Sequence, residues 1–152
     1  MERIASFCVD HDKLLPGIYT SRIDGDVTTY DIRMRKPNTP PYLEQAALHT
    51  IEHLFATFAR NGAQASHVLY FGPMGCRTGF YLLVRDMPAE DAIALIIACF
   101  QKIAAYDGPI PGASCSAECG NWLEHDLAGA VQEAKNFLPI IEGWPPAKLS
   151  YE

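Results

Sequence analysis

The sequence predicts an α+β fold, a mostly antiparallel four-stranded sheet with helices packed on one face. Two pairs of short strand-like runs, each joined by a turn, alternate with three stretches of helical periodicity. At 152 residues the chain reads as a single domain, 1–152, long enough to bury a core. Hydrophobic residues at 49% and charged residues at 20% are those of an ordinary soluble globule.

Residues 17–22 and 27–35 are rich in β-branched side chains and flank Asp24-Gly25-Asp26, a hairpin signature. Alternation in the second run places Thr28, Tyr30, Ile32 and Met34 on one face and Val27, Thr29, Asp31 and Arg33 on the other. Arg33 therefore faces away from Ile32, toward solvent, a partner subunit or a ligand. Prolines at 37, 40 and 41 then punctuate the chain, and Asn38 or Thr39 is expected to cap a helix over 42–61. Leu48, Ile51, Phe55 and Phe58 form its buried stripe, while His49, Glu52, His53 and Ala56 share a neighbouring face. Asn61-Gly62 ends it.

Residues 67–71 and 78–84 read as the second strand pair, separated by Gly72-Pro73-Met74-Gly75-Cys76-Arg77. Glycines and prolines around one cysteine suggest a tight turn that holds a thiol where the backbone approaches a ligand closely. A second helix over 88–105 buries Ile93, Ile96, Ile97, Phe100 and Ile103, with Cys99 in the same stripe. A loop over 106–114 and the run Cys115-Ser116-Ala117-Glu118-Cys119-Gly120 lead to a final helix from about Glu124 to Leu138. The tail from Gly143 onward is expected to be irregular.

A net charge of −6 and a pI near 5.3, with no lysine/arginine block, argue against a nucleic-acid surface. The densest basic run, Arg33-Met34-Arg35-Lys36, is short and reads as a strand end. No apolar leader follows Met1, and the longest apolar run, 92–100, is too short to span a bilayer. Five cysteines, an odd number, fit reduced thiols in a cytoplasm better than a disulfide framework.

The chemistry centres on His49-Thr50-Ile51-Glu52-His53. Histidines four apart on a helix project from one face and reach a single divalent cation, and Glu52 beside them is free to act as a base. This H-x-x-E-H order inverts the commoner H-E-x-x-H. A catalytic site needs a third protein ligand and an open position. The candidates are Cys119, Cys115, Cys76, His125, His67 and His11; Cys119, followed by glycine just ahead of a helix, is preferred, since a thiolate beside two imidazoles suits zinc or ferrous iron.

Several strings then appear in register: Ser6-Phe7, His11, Asp31-Ile32-Arg33, His49 to Leu54, Pro73-Met74-Gly75-Cys76-Arg77-Thr78-Gly79-Phe80-Tyr81 and Glu118-Cys119-Gly120. Together they resemble the S-ribosylhomocysteine lyase, or LuxS, family over most of the chain. The resemblance implies a two-layer sandwich and a homodimer with two equivalent active sites near the subunit interface. It implies one divalent metal per subunit, natively ferrous iron and replaceable by zinc, held by His49, His53 and Cys119. Glu52 and Cys76 would be the acid/base pair, and Ser6, His11 and Arg33 would contact substrate. The implied reaction cleaves the thioether of S-ribosylhomocysteine to homocysteine and 4,5-dihydroxy-2,3-pentanedione, the autoinducer-2 precursor.

One departure stands out. Many family members carry an acidic residue and then a serine shortly before Pro-Met-Gly-Cys, where this chain has Tyr70 and Gly72. The homocysteine end of the substrate is thus expected to be held differently. H-x-x-E-H also occurs in inverzincin peptidases, but those use a distant carboxylate ligand in a much larger fold. A metal-stabilised binding module would need a closed four-ligand site, with Cys115 or Cys76 as the fourth donor.

Overall fold

The computed structural model describes residues 1–151. Its β-strands are β1 (Gly17–Asp24), β2 (Val27–Arg33), β3 (Val68–Pro73) and β4 (Gly79–Arg85), and its α-helices are α1 (Gln45–Arg60), α2 (Ala89–Ala104) and α3 (Leu127–Ile141). The strands form one antiparallel sheet in the order β1-β2-β4-β3. Gly25, at φ 62, turns the β1–β2 hairpin as expected. Among the described residues no helix is long and apolar enough to cross a membrane.

One face of the sheet carries Ile18, Tyr30, Ile32, Phe71, Phe80, Leu82 and Val84, all buried against the helices. α1 meets this face with Leu48, Ile51, Leu54 and Phe55, and Phe55 stacks on Phe71 at 3.8 Å between centroids. Phe58, expected in the stripe, is only half-buried; Leu54 and Ala59 take the inner positions instead. α2 contributes Ile93, Ile96, Phe100 and Ile103, with Cys99 beside them. Burial lifts the Cys99 thiol to about 12, so it stays protonated and inert.

The helix starts differ from expectation. α1 opens at Gln45 after Glu44, so Asn38 and Thr39 lie upstream in the proline segment and do not cap it. α3 opens at Leu127 rather than Glu124, because the Asp126 carboxylate accepts a hydrogen bond from Gly129 N at 2.9 Å and fixes the first turn there.

The other face of the sheet carries Tyr19, Asp31, Arg33 and Tyr81. The tail returns to it. Leu149 is buried, its carbonyl accepts from Thr20 N at 2.7 Å along the edge of β1, and Tyr151 stacks on Tyr19 at 5.2 Å. An irregular segment thereby covers an otherwise open strand edge. At the opposite edge Arg60 Nη2 donates to Leu69 O at 2.6 Å.

Candidate metal centre and substrate cavity

α1 is held rigidly by its buried stripe, and it presents half-buried His49, Glu52 and His53 on the flank. The loop over 111–125 folds across that flank. His49 Nδ1 donates to Glu124 O at 2.8 Å, and His53 Nδ1 donates to Pro111 O at 2.7 Å. Gly112, at φ 71, makes the second contact possible, since a Cβ there would sit 3.2 Å from His53 Nδ1. With both Nδ1 protons committed to carbonyls, each Nε2 presents a lone pair inward.

Cys119 Sγ lies 3.4 Å from His49 Nε2 and accepts from Asn121 N at 3.4 Å. Glu118 accepts hydrogen bonds from Ser114 N and Oγ, which hold its carboxyl below the usual range and brace the loop that carries Cys119. One donor atom each from His49, His53, Cys119 and His125 falls within 4.8 Å of the others. Imidazole nitrogens and a thiolate make a donor set suited to zinc or ferrous iron, and the pinned Nδ1 groups are the outer support such a site requires.

His125 was one of six third-ligand candidates in the sequence, and the structure adds it beside Cys119. Its Nδ1 lies 3.0 Å from Thr50 Oγ1. The Thr50 proton goes to Ala46 O, and the same oxygen accepts from Asp126 N, so His125 Nδ1 is the donor. Its Nε2 is buried without a hydrogen-bond partner and faces the cluster as a fourth lone pair. Burial and the nearby His49 and His53 push His125 down to about 4, which keeps it neutral.

A cavity of about 490 Å³ holds a second group of the expected residues: Ser6, His11, Arg33 and Cys76 line it with Thr78 and Tyr81. None of His49, Glu52, His53 or Cys119 lines it. Ser6 sits in a single 3₁₀ turn, Ala5–Phe7, and His11 Nδ1 donates to Val9 O at 2.9 Å. Cys76 is exposed on a tight turn closed by Arg77 N to Met74 O at 2.9 Å. The positive φ in this turn belongs to Arg77, at 58°, and not to a glycine. Its strain is offset by Leu43 N donating to Arg77 O at 3.0 Å and Arg77 Nη1 donating to Leu43 O at 3.3 Å.

Arg33 faces this cavity and is 3% exposed; its partner Asp31 is 1% exposed. Arg33 Nε and Nη2 donate to the two oxygens of Asp31 at 3.1 and 2.6 Å, and Nη1 donates to Thr78 Oγ1 at 2.7 Å. Burial pulls the guanidinium pKa down, but the Asp31 carboxylate outweighs it and the net shift is upward. Arg33 Nη1 lies 4.0 Å from Cys76 Sγ, and Thr78 Oγ1 lies 3.1 Å from the same sulfur. A fixed cation and a hydroxyl therefore face the Cys76 sulfur. The sequence reading missed Thr50 and Thr78, although the Asp31–Arg33 spacing on one strand face was there to be used.

Comparison with known proteins agrees with this geometry. The family model described as S-Ribosylhomocysteinase (LuxS) matches residues 4–145. Proteins named S-ribosylhomocysteine lyase from Borreliella burgdorferi strain ZS7 and from Clostridium acetobutylicum are each 46% identical over 157 aligned positions, covering 99% of this chain and of theirs. One from Phocaeicola vulgatus is 49% identical over 158 positions, covering 99% of this chain and 98% of its own. The chain belongs to the S-ribosylhomocysteinase (LuxS) family.

Proposed function

We propose that this chain is a carbon–sulfur lyase that cleaves S-ribosylhomocysteine to homocysteine and 4,5-dihydroxy-2,3-pentanedione, the autoinducer-2 precursor, with one divalent metal per subunit. The observation that carries this reading is the convergence of His49, His53 and Cys119, with both Nδ1 protons tied to carbonyls. These three residues would hold the metal, natively ferrous iron and replaceable by zinc. Bound there, it supplies Lewis-acid polarisation of the sugar oxygens.

The proton transfers fall to side chains. Moving the carbonyl from the first carbon to the third requires removing and returning protons at carbons beside it. Glu52, on the helix that carries the histidines, and Cys76, on its turn, serve as the two acid/base groups. Arg33 and Thr78 face the Cys76 sulfur, and Ser6, His11 and Arg33 orient the substrate in the cavity. Once the ketone lies β to sulfur, removal of the intervening proton expels the homocysteine thiolate. Oxidation and reduction stay within the sugar, so no redox cofactor enters.

The active form is a homodimer with its sites near the interface. The division supports this: the cavity bearing Cys76 and Arg33 contains no metal-cluster side chain, so a partner subunit would bring the two halves together. The free cysteines suit a reducing compartment such as the cytoplasm.

The test is anaerobic release of homocysteine thiol from S-ribosylhomocysteine by the iron-loaded protein. Release should be prompt, lost in Glu52→Gln, and lost in Cys76→Ala with full metal retained. Near-wild-type turnover in Cys76→Ala would remove Cys76 from the mechanism. His125 favours a second reading, a closed structural site with four protein ligands. Cobalt-substituted protein separates the two: adding substrate shifts the visible spectrum of an open site and leaves a closed one unchanged.

A further inference from the structure

A buried ion pair persists only where its remaining hydrogen-bonding positions are filled. Asp31 receives both Arg33 donors, and its Oδ2 also accepts the Tyr151 hydroxyl at 2.7 Å. From Arg33 the contacts run on to Thr78 and Cys76. An unbroken polar path thus joins the carboxyl-terminal tail to the cavity thiol. The tail seats Tyr151 firmly: its ring stacks on Tyr19, and Leu149 two residues earlier is buried and bonded to β1. The path begins beyond residue 145, outside the part of the chain matched by the family model.

We propose that Tyr151 is a positioning residue for the lyase reaction, setting the ionisation of Cys76 through Asp31 and Arg33. The proposal rests on the reading of Cys76 as an acid/base group. The Tyr151 hydroxyl takes up part of the Asp31 charge. Less of the Arg33 charge is then drawn to Asp31, and more of it faces the sulfur 4.0 Å away. Burial, and then the charge of Asp31, raise the Tyr151 pKa, so the hydroxyl remains a donor at neutral pH. The other titratable groups lining the cavity are His11, Tyr42 and Tyr81, and none of them touches Asp31 by a hydrogen bond.

Tyr151→Phe tests this, because it keeps the stacked ring and deletes only the donor. The readout independent of activity is the pH dependence of Cys76 alkylation by iodoacetamide in the metal-loaded protein. Peptide mass spectrometry separates Cys76 from the exposed Cys8 and Cys115. The Cys76 midpoint should rise by about half a pH unit, a thiolate population roughly threefold smaller at neutral pH. The acid limb of kcat for homocysteine release should move the same way, with metal content unchanged. A chain ending at Ser150 should reproduce the shift. An unchanged midpoint in both variants would reduce Tyr151 to an anchor for the tail and overturn the proposal. If wild type releases no homocysteine, the reaction fails as a reading, while the alkylation midpoint still decides the link from Tyr151 to Cys76.

Discussion

Thr50 lies one residue from a proposed metal ligand, is fully buried, and makes three hydrogen bonds with one hydroxyl. It fixes the tautomer of His125 and ties the start of α3 to α1. Thr50→Val keeps the shape and removes all three contacts, leaving the Asp126 amide without its acceptor, a loss of about 1–3 kcal/mol. Supports of this kind typically contribute about 10–100-fold to metal affinity. Titration against a chromophoric chelator should therefore show weaker metal binding in Thr50→Val. At a second pair of positions, Tyr70 and Gly72 stand where the family resemblance leads one to expect an acid and a serine, and the structure couples them. A Cβ on Gly72 would overlap the Tyr70 hydroxyl. Tyr70 is half exposed, so its ring has room to swing away. Gly72→Ser alone should cost about 1 kcal/mol, and Tyr70→Asp with Gly72→Ser should recover it, a coupling that urea titration of the four proteins measures.

At the scale of elements, periodic pattern carried most of the information. The four strands, their pairing by hairpins, Leu48, Ile51 and Phe55 of the α1 stripe and the buried Cys99 were legible, because burial on one face imposes a period on the residues. So was the four-residue spacing that puts His49 and His53 side by side on α1, which is a property of the helix itself. What escaped depended on contacts distant in sequence. The start of α3 is set by Asp126 capping a turn while its own amide reaches back to Thr50, and neither contact has a periodic signature. The tail looked irregular because its order comes from Leu149 and Tyr151 docking on β1 and β2, more than 100 residues away in sequence. The cavity beside Cys76 was only partly legible: Arg33 was placed on the correct strand face, but its ion pair with Asp31 turns one of its nitrogens toward Cys76. The Asp126 cap gives an element-scale prediction. Asp126→Ala should cost about 1 kcal/mol in the urea stability of the metal-free protein, and Asp126→Asn should restore most of it, since asparagine caps as well.

For the whole molecule, the decisive question is whether one subunit contains a complete site. In the proposed reaction the metal-ligating and acid/base groups must approach the same carbon skeleton, yet the cavity lined by Cys76, Arg33, Ser6 and His11 excludes the cluster of His49, His53, Cys119 and His125. The proposed twofold dimer would resolve this by letting each subunit lend its cavity to the other's metal. Mixing two inactive variants tests it directly. His53→Ala lacks the metal centre but keeps Cys76, and Cys76→Ala keeps the metal centre but lacks the thiol. Each variant alone should release no homocysteine. After denaturation and refolding of an equal mixture, half of the dimers are mixed and each has one intact site of two, so roughly a quarter of wild-type turnover should return. If every site were built within one chain, no mixed dimer would contain an intact site and the mixture would stay inactive. Recovered activity would also have to fall as the mixture is diluted and its dimers dissociate, which separates complementation from contamination by wild-type protein.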